Sequence, residues 1–236
     1  MMSHEGEKLL MFEIDKKKKD IFIKKILQWF EENSRDFPWR RESAPYKILV
    51  SEILLQKTKA ENVVPIYNVF VKKYPNIFVL HSSSFLEIKN DIKLLGLSTQ
   101  RAKKFKLLGN ILVDRYNGEI PCSRDELLKL PGVGMYIGNA LACFAFGEEL
   151  PLLDTNIGRI IERIFSIKVS GEERKKIRVW DAIADFIPSG KAREFNYSLI
   201  DFGAFICTAK NPKHDLCPLN RICDYPSNRN ELIKRL

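Results

Sequence analysis

An all-α fold is what this sequence predicts, on two observations. Apolar residues recur at helical period along nearly every segment, and no segment shows the clean apolar/polar alternation of a half-buried strand. The links between periodic segments are short and turn-like, as at Asn117-Gly118 and Ser189-Gly190. Taken in order, Asp20 is expected to cap a helix that buries Phe22, Ile26, Trp29 and Phe30 on one face. Ser43 with Pro45 is expected to open the next, running to about Leu55. Further helices are expected over 60–73, 84–95, 99–116, 124–130, 135–146, 155–166, 173–187 and 191–206. Ser123-Arg124-Asp125-Glu126 has the form of a capping box for the helix at 124. Pro131 then stops that helix, since it lacks an N–H and disfavours α conformation in the residue before it.

Composition narrows the class. A chain of 236 residues can bury a proper core, as one domain or two small lobes. Lys and Arg outnumber Asp and Glu by 39 to 30, a net charge of +9, which favours a polyanionic partner. No run of about 18 apolar residues is present, so no membrane span is expected. Lys16-Lys17-Lys18-Lys19 follows only a brief Leu-Leu-Met-Phe, so no signal peptide is expected and the location should be intracellular, in cytoplasm or nucleoid. Three of the five cysteines crowd the C-terminal end, which in a reducing compartment points to metal rather than disulfides. No internal repeat or low-complexity linker divides the chain.

Four places carry chemistry. In Leu130-Pro131-Gly132-Val133-Gly134-Met135-Tyr136, Gly132 and Gly134 can take positive φ and turn backbone amides outward at the mouth of the following helix, a ready anion site. An ordinary αα-corner would use the same residues. Downstream, Asp154 in Leu153-Asp154-Thr155-Asn156 opens another helix, where it serves as an N-cap or as a fixed carboxylate for catalysis. Glu52 interrupts the apolar run Ile48-Leu49-Val50-Ser51-Glu52-Ile53-Leu54-Leu55, so it must be paired with a nearby arginine or be protonated. Cys207-x6-His214-x2-Cys217-x5-Cys223 sets out four soft or borderline ligands. Cysteine with histidine holds iron–sulfur centres, as in Rieske proteins, and a Cys3His set also holds zinc. Cys122 and Cys143 read as core fillers. Arg101, Lys103, Lys104 and Lys106 crowd the start of one helix, a pattern that is usually a solvated face.

With these motifs in view, the chain resembles the helix-hairpin-helix, Gly-Pro-Asp class of base-excision DNA glycosylases, which includes endonuclease III and the A/G-mismatch adenine glycosylases. The resemblance covers roughly residues 20 to 225 and rests on Phe37-Pro38-Trp39-Arg40, Pro45-Tyr46-Lys47, Ser51-Glu52-Ile53-Leu54-Leu55-Gln56, the hairpin, Asp154 and the Cys-rich end. Tyr136 stands where the bifunctional lyases carry lysine and the adenine glycosylases carry serine, so within the class it looks like the archaeal-type thymine glycosylases. The resemblance implies a six-helix barrel over 42–149, with a second lobe from 1–41 and 150–236.

It also implies roles. Asp154 stabilises positive charge on the sugar and activates water, and Asn156 holds that water or the 3′ phosphate. Tyr136 lines the base pocket, and because a phenol forms no Schiff base, the reaction stops at an abasic site. Glu52 recognises the base or donates a proton to it. Gln56 and Leu97 match the residues that fill the duplex when a base is flipped out, and Gly132 and Gly134 grip a phosphate. Cys207, His214, Cys217 and Cys223 hold a [4Fe–4S] cluster, with zinc or no metal as alternatives, and Lys210 and Lys213 in its first loop face DNA. The expected partner is double-stranded DNA with thymine or uracil opposite guanine, bound by a monomer. An A/G-mismatch adenine glycosylase is opposed by Tyr136 and by the chain's end soon after the metal motif. A non-catalytic DNA-binding module would have no need of Asp154.

Overall fold

The computed structural model describes residues 14–169 and 171–225, and these are helical throughout, with no strand among them. The chain divides into two compact units, Arg35–Leu152 and a second made from Met1–Ser34 with Leu153–Leu236. The outer ends expected in the terminal lobe, 1–13 and 226–236, lie outside the described residues.

In the central unit, α2 (Pro45–Leu55) has Pro45 in its first turn and buries Ile48 through Leu54. That near-continuous apolar face packs on α3 (Ala60–Lys73) and on α8 (Met135–Phe146). Residue Ala44, not Ser43, is the N-cap of α2, because Pro45 already supplies the helical φ at its start. An unforeseen short helix, α4 (Ile77–Ser82), is capped by Asn76, whose side chain accepts from the Val79 amide at 3.0 Å. The single helix expected over 84–95 breaks into α5 (Phe85–Asp91), opened by a Ser84/Glu87 capping box, and a 3-10 turn over Lys93–Leu95.

Helix α6 (Ser98–Tyr116) packs on both α4 and α5. Helix α7 (Arg124–Lys129) lies against α8, but the capping box expected at Ser123 does not form. Glu126 instead accepts from the Tyr116 hydroxyl at 2.8 Å and from the Lys129 ammonium, and these two charge-assisted bonds outcompete an exposed backbone amide. Phe37 and Trp39 stack at 5.0 Å, and Trp39 meets Tyr67 edge-on at 5.4 Å, which places these two rings of the Phe-Pro-Trp-Arg motif in the core.

In the terminal unit, α1 (Lys16–Asn33) begins before Asp20. Asp15 is its cap, accepting from the Lys17 amide at 2.8 Å, and Asp20 lies within the helix. The α1 side chain Phe22 is the centre of an aromatic cluster with Phe165, Phe186 and Phe195. Helix α9 (Thr155–Phe165) buries Ile157, Ile160, Ile161 and Ile164 at helical spacing. The segment expected to be helical over 173–187 is a 3-10 turn followed by α10 (Ile177–Ala184). Helix α11 (Ala192–Phe205) packs on α1 and α9.

Candidate functional site

The hairpin is built as its residues dictate. Helix α7 ends before Pro131, the Val133 amide closes a turn onto the Leu130 carbonyl at 3.1 Å, and Gly134 is the N-cap of α8. Gly132 takes φ +73°, as expected, but Gly134 does not; its φ of −90° is open to any residue. What Gly134 contributes is the missing side chain. It is exposed, and a Cβ there would meet no atom within 4 Å, so the space over the first amides of α8 stays open. Those amides have no side-chain cap, which leaves donors and the helix dipole for an anion. Behind the hairpin, Arg124 donates to Asn139 at 2.9 Å, and Asn139 donates to the Pro151 carbonyl at 2.8 Å.

Gln56 and Leu97 sit on two loops that one buried side chain holds together. Arg101, only 2% exposed, was expected on a solvated face. Its guanidinium instead donates to the carbonyls of Ile53 (3.2 Å), Leu95 (3.0 Å), Gly96 and Gln56, and to the Thr58 hydroxyl at 2.7 Å. All five donors are used, which is why a guanidinium tolerates this burial without a carboxylate partner. The loops are strained where they turn: Lys57 and Leu97 are left-handed at φ 55° and 48°. Non-glycine residues keep such conformations only when their surroundings over-determine them. Leu97 itself is 43% exposed, an apolar side chain presented at a loop tip. Lys104, also assigned to a solvated face from sequence, is half-buried and donates to the Gln56 amide oxygen at 2.9 Å. Lys106 donates to the carbonyls of His81 and Ser83, which leaves Lys103 as the exposed member of that group.

Glu52 is 7% exposed and no arginine answers it; among the described residues its carboxyl has no ion-pair or hydrogen-bond partner. Burial pushes its pKa up to about 7, so near neutrality it holds a proton it can give. It lies on α2, which packs on α8, the helix whose first turn carries the half-buried Tyr136.

Asp154 belongs to the terminal unit and caps α9 as its residue type predicts. Its Oδ1 accepts from the amides of Asn156 (2.9 Å) and Ile157 (2.8 Å), and its Oδ2 accepts from the Asn156 side-chain amide at 3.0 Å. Asn156 in turn accepts from Arg159 at 3.0 Å, and Arg159 donates to the Cys207 carbonyl at 2.8 Å. Sequence reading passed over Arg159 and Arg163, although two cations on the helix that follows Asp154 are what a nearby set of thiolates would call for.

The four proposed ligands do come together. Cys207, His214, Cys217 and Cys223 line one cavity, closed by apolar side chains such as Phe202 and Ile206. Arg163 ties the first loop to α9 by donating to the Thr208 carbonyl at 2.7 Å, and its Nη1 lies 3.5 Å from the Cys207 sulfur. Burial pushes the Cys217 thiol up to about 11 and raises that of Cys223, so a bound metal must offset the cost of forming the thiolates. Yet among the described residues no three His, Cys, Asp or Glu side chains converge as a single metal ion requires. The donor set fits a cluster, in which each ligand meets its own iron, better than one tetrahedral ion that draws all four ligands to about 2.0–2.3 Å of a point. Lys210 and Lys213 are exposed on the first ligand loop, which Asn211 turns with φ 52°. Cys143 is buried as expected, but Cys122 is exposed, since it precedes α7 in a polar turn. No described helix is long and apolar enough to cross a membrane.

Comparison with known proteins shows the family. A family model described as HhH-GPD superfamily base excision DNA repair protein matches residues 50–182, and one for the iron-sulfur binding domain of endonuclease III matches 207–223. The thymine/uracil-DNA glycosylase of Methanothermobacter thermautotrophicus is 38% identical, the match covering 89% of this chain and 95% of that protein. That of Pyrobaculum aerophilum is 41% identical over 86% of this chain and 91% of its own. The solved structure of a thermostable thymine-DNA glycosylase superposes with a TM-score of 0.85 at 38% identity, covering 89% of this chain and 96% of the other.

Proposed function

The chain belongs to the HhH-GPD superfamily of base excision DNA repair proteins, and from that premise we propose that it hydrolyses the N-glycosidic bond of thymine or uracil mispaired with guanine in duplex DNA, leaving an abasic site. The observation that carries this reading is the Asp154 carboxylate, which accepts three hydrogen bonds at the head of α9 and is thereby aimed without freedom to swing. A carboxylate so fixed suits the oxocarbenium-like charge that builds on the sugar as the base departs.

The remaining residues take complementary parts. The hairpin amides and Gly134 hold a DNA phosphate, while Gln56 and Leu97 enter the duplex and occupy the space of the extruded base. Tyr136 lines the pocket that receives it. The buried acid of Glu52 gives its proton to the departing pyrimidine, which leaves more readily as the neutral base. Asp154 and Asn156 then orient the water that attacks the sugar. No amine stands at 136, so no imine forms and the strand stays whole. Cys207, His214, Cys217 and Cys223 would hold the iron–sulfur cluster, and with the cluster bound the loop bearing Lys210 and Lys213 would be held rigid for contact with DNA. One flipped base needs one such chain, so the enzyme acts as a monomer, in company with DNA in the nucleoid.

A panel of duplexes carrying G·T, G·U, G·A or thymine glycol tests this. Base release from G·T and G·U, with strand breakage only after alkali, is the expected result. Release from G·A alone would make the protein an adenine glycosylase. Binding without release from any duplex would make it a non-catalytic module.

A further inference from the structure

We propose that Lys104 sets the opposing-base preference by locking the Gln56 amide so that it presents a donor to the base left behind in the duplex. This rests on the reading above that Gln56 enters the duplex, and it goes beyond it by naming the atom that is read. An ammonium group has donors only, so the Gln56 atom facing Lys104 Nζ at 2.9 Å must be the carbonyl oxygen. That assignment turns Nε2 the other way, and among the described residues Nε2 has no acceptor. The backbone of the residue is held as well, since Arg101 donates to the Gln56 carbonyl and the left-handed Lys57 follows it. Lys104 is itself placed. Its stem lies against the hairpin so closely that a Cβ at residue 132 would come within 2.6 Å of Cε, so only glycine at 132 admits it there. Burial and the neighbouring Arg101 both lower its pKa, which marks an ammonium taken from water and spent on one acceptor.

A fixed N–H donor discriminates between purines. Guanine presents O6, an acceptor, where adenine presents the N6 amine, a donor. With guanine estranged, Nε2 gains a hydrogen bond; with adenine, two donors face each other. If Gln56 were free to rotate its amide it would satisfy either base, so the preference depends on Lys104 holding the oxygen.

Affinity for duplexes with a tetrahydrofuran abasic analogue opposite different bases tests this without requiring turnover. The parent should bind the guanine duplex about tenfold more tightly than the adenine duplex. Hypoxanthine, which keeps O6 and lacks the 2-amino group, should rank with guanine, and 2,6-diaminopurine with adenine. Lys104→Met should bring the guanine and adenine affinities within about twofold of each other, while Lys104→Arg, again only a donor, retains the preference. Gln56→Leu should erase it equally, and the double variant should do no more, while the parent's own ranking of hypoxanthine and 2,6-diaminopurine keeps the test decisive if a variant folds poorly. A Lys104→Met variant that binds every duplex more weakly with the ratio intact would reduce Lys104 to a phosphate contact and overturn the proposal. So would a parent without preference, or hypoxanthine ranking with adenine. If the preference behaves as stated but no pyrimidine is released from G·T or G·U, the glycosylase reading fails and the orientation of Gln56 stands.

Discussion

Asn156 grips Asp154 at both carboxylate oxygens, its backbone amide on Oδ1 at 2.9 Å and its side-chain amide on Oδ2 at 3.0 Å. The capping role of Asp154 and the catalytic role proposed for it are therefore compatible, because the bonds that cap α9 also fix the direction of the carboxylate. Asparagine caps helices as well as aspartate does. Asp154→Asn should keep the fold and the affinity for mismatched DNA, while base release slows by several orders of magnitude as about 3 kcal/mol or more of charge stabilisation is lost. Single-turnover release within tenfold of the parent would remove Asp154 from the reaction. Asn156→Ala, which frees Oδ2 but leaves the charge, should fall between the two.

Glu52 predicts a pH signature. Its pKa in the folded chain is raised from 4.5 to about 7, so it costs nothing below pH 4.5, where folded and unfolded forms are both protonated. The cost grows as pH rises through that window and is constant above about 7, where it amounts to about 3 kcal/mol. Glu52→Gln should thus be more stable than the parent at pH 8 and equal to it at pH 4 in urea titrations. If the acid protonates the departing base, parent single-turnover rates should fall above about pH 7, and the Glu52→Gln variant should be slow with a flat profile across that range.

Arg101→Met strands four carbonyls and a hydroxyl in a half-dry site, and should lower stability by about 3 kcal/mol or more. Arg101→Lys keeps the charge but cannot span five acceptors, so it should recover only part of that loss. Urea midpoints of the three proteins measure the order, and equal midpoints would mean the loops hold themselves.

Purified anaerobically, the protein should carry about four iron atoms and as many sulfides per chain. His214→Cys should retain the cluster at a lower reduction potential, since a thiolate adds negative charge. One zinc per chain with no iron would refute the ligand assignment.

Tyr136→Lys places an amine where the phenol stands. If that position lines the sugar, borohydride should trap a covalent protein–DNA adduct on a G·U duplex, and strands should break without alkali. The parent should give neither. An adduct with the parent would mean that another lysine does the chemistry, and none with a folded, DNA-binding variant would mean that residue 136 faces away from the sugar.

Much of this architecture was legible in residue order. Helix α8 falls where periodicity places it, because the glycines at its two ends agree with the apolar run, and α3 does so on its apolar stripe alone, with Pro65 inside it. Boundaries failed where two acids competed for a cap, as at Asp15 and Asp20, or where an ion pair drew the capping carboxylate away, as at Glu126. The buried partners failed for a different reason. Arg101 and Lys104 look like surface cations because their acceptors, backbone carbonyls and one amide oxygen, leave no mark in a sequence. Asp154, by contrast, was visible, since its motif is local.

One cation serving two loops has a consequence for how such an enzyme changes over generations. The carbonyls of Ile53 and Gln56 on one side and of Leu95 and Gly96 on the other must all stay within reach of a single rigid fork. Adding or deleting a residue in either loop would displace its carbonyls from that fork, and no change in the other loop could restore them. The side chains of Gln56 and Leu97 take no part in the clasp. If these tips do enter the duplex, a change of base preference is expected to exchange residues at the two tips, with loop length held constant by a residue buried beneath them.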